Sequence, residues 1–281
     1  MEENRITVIK PKTGWFDINL REIWNYRDLI YMFLKRNFTG TYKQTILGPI
    51  WFLITPLMTS SMFTVVFGQI AKISTDGVPQ FLFYMAGNTA WAYFSSCLTA
   101  TSATFTGNAY LFGKVYFPRL ISPITSVIYA LLSFFIQLAL MLVLMAFFVF
   151  GRGEAICPNK WILLVPAMVL EMALLGLGIG IIISSLTTKY RDLSILVGFG
   201  VQLWMYATPI VYPMSQVPEF LRSIIKLNPM APIVNNFRYA FLGCGSPEIS
   251  SWLISMAVTA VFLFIGVILF SKVEKTFMDT V

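Results

Sequence analysis

The sequence predicts an all-α polytopic membrane protein, on three observations. Six long apolar runs fall near Leu47–Ala71, Phe81–Ala103, Ile121–Phe150, Trp161–Leu186, Leu193–Val211 and Trp252–Phe270. Each holds about 20 residues or more, enough at ~1.5 Å per residue to cross a ~30 Å hydrocarbon layer. The composition is 57% apolar and only 12% charged, where soluble domains carry about 25% charge. The 281 residues include no histidine, which removes His-based triads and histidine metal ligands.

The elements follow in order. Residues 1–18 read as irregular, with Pro11, Gly14 and scattered charges. Asn19 is placed to cap a helix, with Glu22 three residues on as its capping-box partner. Beyond it Leu20, Ile23, Trp24, Ile30, Tyr31, Leu34 and Phe38 recur at helical spacing, with Arg21, Glu22, Asn25, Asp28, Lys35 and Arg36 among them. This predicts an amphipathic helix lying in the membrane interface. The first two spans follow, and a compact turn, Gly113-Lys114-Val115-Tyr116-Phe117-Pro118-Arg119, closes them. A second short turn, Thr187-Thr188-Lys189-Tyr190-Arg191-Asp192, separates the fourth and fifth spans. The stretch 212–251 is too long for a simple turn. Pro218 opens one short helix with Phe220, Leu221, Ile224 and Ile225; Asn228-Pro229 breaks it; a second carries Ile233, Phe237, Tyr239 and Phe241 to Gly243. Neither is long enough to cross, so both are expected to dip into the membrane or lie on it. The chain thus divides into a cytoplasmic N-terminus (1–46), a six-span domain (47–271, with 212–251 outside) and a tail (272–281).

Charge sets the orientation. The net charge of +7 would suit nucleic acid, but most of the 20 Lys and Arg residues cluster beside the spans. That is the pattern of the positive-inside rule and of anionic lipid headgroups, and it puts both termini in the cytoplasm. Arg238 counts among the minority assigned to the outer side.

Within the spans, Glu171 is the one deep acid, ~15 Å from the outer end of its run. Gln137 and Gln202 fall at similar depth, and a hydrogen bond from one of them would satisfy a protonated Glu171. Structural glue and a proton or substrate role both remain open. Gly176, Gly180 and Ser184, with Gly178 between, form a small-residue face for close helix approach, whose partner is open to being in the same chain. Trp91, Tyr93, Phe94, Trp204 and Tyr206 lie at mid-depth, away from the interfacial belt. They either pack between helices or line a path, where their faces suit sugar C–H groups. Cys97 reads as a small apolar filler. Cys157 and Cys244 both fall outside, so a disulfide is topologically open.

No catalytic constellation is visible. Residues Gly107–Lys114 imitate a phosphate-binding loop, but five residues separate the glycines and Val115 stands where Ser or Thr would hold magnesium. If transport uses ATP, another chain hydrolyses it.

Several pieces together resemble the permease subunit of polysaccharide-exporting ABC transporters, the group that moves O-antigen, capsule or teichoic-acid chains. They are Tyr26-Arg27-Asp28-Leu29, Tyr42 through Trp51 with its Leu47-Gly48-Pro49-Ile50-Trp51, Gly113 through Arg119, Tyr190-Arg191-Asp192, and Leu227-Asn228-Pro229-Met230 through Phe237-Arg238. The resemblance spans nearly the whole chain. It implies a homodimer bound to two ATP-binding cassette subunits that hold ATP and Mg, with no cofactor in this chain. It implies that the interfacial helix and cytoplasmic turns, through Tyr26, Asp28, Tyr116, Tyr190, Arg191 and Asp192, dock on those ATPases. It implies an outer gate at Phe220, Ile224, Asn228, Pro229, Phe237 and Phe241. On this reading Arg27, Lys35, Arg36, Lys43, Lys114 and Arg119 attract the phosphates of a lipid-linked glycan or of membrane lipids. The glycan then slides over Trp91, Tyr93, Phe94, Trp204 and Tyr206 out of a bacterial inner membrane. An ABC exporter of lipids or drugs, a secondary transporter and a membrane-bound transferase are the open alternatives.

Overall fold

A computed structural model describes residues 20–42, 48–190 and 192–280. Among these residues the chain is helical without strands. Two short helices come first, α1 (Leu20–Asn25) and α2 (Arg27–Tyr42). The predicted interfacial helix is thus interrupted at Tyr26, and its proposed cap Asn19 lies outside the described residues. Then come α3 (Trp51–Phe63, continued by a π-helical stretch Thr64–Ile70), α4 (Gln80–Ser102), α5 (Thr104–Phe112) and α6 (Ile121–Arg152). The rest are α7 (Val165–Thr187), α8 (Leu193–Ala207), α9 (Glu219–Lys226), α10 (Met230–Leu242) and α11 (Ile249–Thr280).

Four segments among the described residues are both long and apolar enough to cross a membrane: Trp51–Ile70, Ile121–Arg152, Lys160–Thr187 and Ile249–Glu274. The sequence predicts six, and the other two fall short for different reasons. α4 has 23 residues, about 34 Å of helix, but its composition is more polar. The cause is its position. Every residue from Leu82 to Trp91 is buried, because α3, α6, α7, α8 and α10 all pack around it. A helix sheathed by protein has no need of a uniformly apolar surface. α8 has 15 residues, about 22 Å, and stops before Thr208-Pro209, where Pro209 restricts its neighbour to extended backbone; Thr208 has ψ 141°.

The glycine face of α7 decides how the core closes. A Cβ on Gly176 would stand 2.7 Å from Cys97 Cβ, and one on Gly180 2.6 Å from Thr101 Cβ, both on α4. A Cβ on Gly178 would stand 2.8 Å from the backbone nitrogen of Leu263 on α11. Small residues therefore let α7 touch α4 on one side and α11 on the other. The partners of this face lie in the same chain. Cys97 fills part of the contact; Cys157 and Cys244 are free thiols, one exposed and one buried. The lookalike phosphate loop is helix α5 and the turn after it.

Two apolar clusters result. The larger runs along α4, α6, α7 and α10 and includes Phe83, Tyr84, Phe94, Phe134, Met172 and Phe237. The smaller sits at the end where α2 lies, and joins Phe33, Phe105, Phe112, Phe117, Ile121, Ile181 and Phe270.

Candidate functional site

At the α2 end the turn 113–120 is anchored by rings. Phe117 meets Phe33 of α2 edge-on at 5.6 Å and Phe112 of α5 at 5.6 Å. Phe105 stacks on Phe270 of α11 at 4.6 Å. Tyr26 packs against this cluster, whereas Asp28, Tyr116, Tyr190 and Asp192 are exposed; Arg191 lies outside the described residues.

The basic set divides. Arg27, Lys35, Arg36 and Lys114 are exposed; Lys43 lies outside the described residues. Arg36 lines a groove of about 440 Å³ with Asn37 and Gly40 of α2, Ala100 of α4, and Ser126 and Tyr129 of α6, and its guanidinium lies 4.7 Å over Phe33. Lys114 lies against Tyr110. Arg119 is committed differently. Its guanidinium donates to the main-chain carbonyl of Glu274, and its backbone N–H approaches the Glu274 carboxylate at 3.4 Å. Burial pulls the Arg119 pKa below its ordinary value, and the charge of Glu274 opposes that. The sequence assigns Arg119 to phosphate contact; the structure uses it to fasten the turn to α11.

The mid-depth rings also divide. Trp91, Tyr93 and Phe94 are buried inside their own chain. Trp91 and Phe94 meet Trp204 of α8 at 6.3 and 5.1 Å, and Tyr93 meets Phe134 of α6 at 5.1 Å. In this arrangement these three offer no open face to a passing chain. Trp204 is half-buried and Tyr206 is 46% exposed. α8 contributes no buried side chain, and Ile195, Leu196, Phe199 and Leu203 are exposed with Tyr206.

At the opposite end, polar bonds hold the short helices. Asn228 accepts from Trp204 Nε1 at 2.9 Å and from the Met230 N–H at 3.0 Å. Its amide donates to Thr208 Oγ1 at 2.8 Å and to the Ala207 carbonyl at 3.2 Å. One side chain thus starts α10 and ties it to the end of α8. The sequence reads Asn228-Pro229 as a helix break and, by resemblance, as part of the outer gate; it does not show the bonds Asn228 makes. Of the other residues predicted there, Phe220 and Ile224 are exposed on α9, while Pro229, Phe237 and Phe241 are buried.

Arg238 corrects the charge reading. It is an interior residue of α10 rather than an outer-loop charge, with its side chain 2% exposed. Its guanidinium donates to the carbonyls of Phe83, Pro209 and Ile210 and lies 3.7 Å from the Phe83 ring centroid. Gly87 leaves the room for it. Carbonyls freed where α8 ends are strong acceptors, and the planar fork of Arg reaches several at once.

Glu171 is also corrected. Its carboxylate meets Trp252 Nε1 at 2.6 Å and Ser255 Oγ at 2.6 Å, both on α11. Gln137 turns to Ser133 at 3.2 Å, and Gln202 is exposed. Ser255 Oγ also lies 2.8 Å from the Pro229 carbonyl. Ser255 has one hydroxyl hydrogen for two acceptors; a neutral Glu171, donating its own proton, completes both bonds. Near the same end, Lys226 pairs with Glu248 at 2.8 Å. Hydrogen bonds from Lys226 and Ser251 hold the Glu248 carboxyl below its ordinary value.

The architecture defines a multi-pass helical membrane protein with helical caps at both ends. Comparison with known proteins gives the family. The sequence pattern of the ABC-2 type transporter family matches residues 28–242, and the chain belongs to that family. It is 26% identical over 265 residues to the O-antigen export system permease protein RfbA of Myxococcus xanthus, covering 93% of this chain and 98% of the relative. Two RfbA proteins of Klebsiella pneumoniae are 26% identical over 253 and 254 residues, each covering 90% of this chain and 94% of the relative.

Proposed function

We propose that the protein is the membrane subunit of an ATP-driven exporter that moves a lipid-linked polysaccharide from the cytoplasm across the inner membrane. The observation that carries this is similarity to O-antigen export permeases along nearly the full length of the chain. Membership of the ABC-2 family favours an ATP-driven carrier over an ion-driven one.

In this reading two copies form the conduit and two ATP-binding cassette subunits, holding ATP and Mg, drive it. The chain itself catalyses nothing. α4 and α8 lie in the membrane with the four longer helices, giving six spans with both termini cytoplasmic. The exposed tips Asp28, Tyr116, Tyr190 and Asp192 receive the ATPases. A push there passes through Phe33 and Phe117 into α5 and α11. Arg36 and its groove, with Arg27, Lys35 and Lys114 nearby in sequence or at the same end, draw the phosphates of the lipid carrier. The exposed face of α8, with Tyr206, suits the wall of the path, and α9 and α10 close its outer end.

Depletion of the protein tests the reading. Glycan is expected to accumulate inside the cell while surface glycan falls. Unchanged surface glycan after full depletion overturns it. Purification of a complex with an ATPase subunit, and its loss on Asp28→Arg with Tyr190→Ala, tests the docking surface.

A further inference from the structure

We infer that the outer end of the bundle holds a binding pocket for a single neutral sugar ring, built between α9, α10 and the start of α11. This rests on the export reading for the class of ligand. The pocket has a volume of about 280 Å³, at the small end of ligand sites and suited to one ring. α9 supplies Arg222 and Lys226 from its polar face, α10 supplies Asn235 and Asn236, and Glu248 and Asp76 complete the rim.

Two features point to a polyhydroxyl ligand. The first is charge. Two cations and two carboxylates line the pocket, so their charges cancel. Lys226 and Glu248 already pair at 2.8 Å, and Asp76 accepts from Ser215 at 2.8 Å. An anion or a cation gains little there, while a neutral ligand with many hydroxyls finds donors and acceptors side by side.

The second feature is unmet bonding. Asn236 is 0% exposed, lines the pocket, and neither its amide oxygen nor its amide nitrogen has a hydrogen-bond partner among the described residues. Among the described residues Arg222 Nε likewise has no partner, while its Nη2 donates to the Val217 carbonyl at 3.2 Å. A buried amide with both atoms unmet is costly. With 0% exposure, the Asn236 amide has to turn toward the lumen as a ligand binds; a sugar hydroxyl, which both donates and accepts, then meets it. The apolar wall of Ala231 and Pro232 suits the ring C–H groups.

The position gives the pocket a use. Its walls come from both short helices and from the loop holding Asp76, so an occupied pocket links elements that otherwise share few bonds. A glycan leaving the conduit is held by one residue at a time at its outer end.

The test is saturation-transfer NMR on the full chain in lipid nanodiscs. The probes are methyl glycosides of neutral hexoses, with a methyl glucuronoside and glucosamine as charged arms. Transfer to the ring protons of one or more neutral glycosides is expected. Asn236→Ala is expected to weaken it about tenfold, the loss of a buried hydrogen-bond pair. Because Asn236 is a core position, Ser246→Trp is the second variant. Ser246 is exposed at the pocket edge, and the indole is expected to fill the pocket and abolish transfer with the gel-filtration profile unchanged. No transfer from any neutral glycoside, transfer that survives Ser246→Trp, or stronger transfer from the charged arms overturns the inference. The depletion experiment reads the export reading separately. Surface glycan lost on depletion with no binding here sinks the pocket alone, and binding here with surface glycan intact sinks the export reading alone.

Discussion

The two ends of the bundle are held by different forces. At the α2 end, Phe33, Phe105, Phe112, Phe117 and Phe270 pack as rings. At the other end directed bonds join the helices: Arg238 to the carbonyls of Phe83, Pro209 and Ile210, Asn228 to Trp204 and Thr208, and Glu171 to Trp252 and Ser255. Ring contacts are individually weak and tolerate small shifts. Directed bonds to carbonyls are met or lost over a fraction of an ångström. The first end therefore tolerates small shifts, and the second is held in a defined position.

The comparison breaks most sharply at Arg238. Arg238→Met is expected to cost about 3–5 kcal/mol, because it leaves the buried carbonyls of Phe83, Pro209 and Ile210 without their donor, at about 1–3 kcal/mol for each unmet group before relaxation. Arg238→Lys is expected to rescue little, since one ammonium does not reach three carbonyls in the same plane. Thermal unfolding in lipid nanodiscs reads both. Near-normal stability for Arg238→Met dissolves the contrast between the ends.

Phe117→Ala comes next, at about 3 kcal/mol for a buried ring, whereas Phe117→Leu is expected to cost under about 1.5 kcal/mol. A ring cluster tolerates an apolar exchange. If Phe117→Leu is as damaging as Phe117→Ala, the α2 end depends on geometry as strictly as the other end does.

Asn228→Ala is expected to cost about 1–2 kcal/mol, combining the lost bond from the Met230 N–H with lost links to Trp204 and Thr208. Protease nicking between α8 and α10 is expected to rise with it. Glu171→Gln keeps a donor and an acceptor and is expected to change stability by less than about 1 kcal/mol, while Glu171→Leu strands Trp252 Nε1 and costs more. Equal losses for the two remove the neutral-carboxyl reading.

The smallest effect is the pH dependence of the Lys226–Glu248 pair. The folded pKa of Glu248 is depressed below the ordinary value of 4.5. Its contribution is therefore present in full above that value and is lost as pH falls through the lower folded pKa. Glu248→Gln is expected to flatten this acid limb slightly, the pair being partly exposed.

Much of this was legible in the residues. The apolar runs placed α3, α6, α7 and α11. Pro218, Asn228-Pro229 and Gly243 bounded the two short helices to within a residue or two. The spacing of Gly176, Gly180 and Ser184 announced a close helix contact. Other residues misled for a definite reason. Arg238 counts with the outer-side charges because a charge outside the long runs reads as solvated, and its three carbonyl partners come from Phe83, Pro209 and Ile210, far away in sequence. Depth pairs Glu171 with glutamines, but depth says nothing of which way around the helix a side chain points. Its partners on α11 lie 81 and 84 residues on.

Composition and periodicity settle what each segment is made of: helix, four of the spans, the break points and the lack of histidine. Those follow from local periodicity and from the solvent that each face meets. The tertiary structure alone decided which helix is sheathed by the others, so that α4 tolerates polar residues and hides Trp91, Tyr93 and Phe94. It alone brought Arg238 to its carbonyls and Asn236 to its pocket. Those facts depend on the rotation of one helix against another, which is set by packing and by bonds between residues distant in the chain.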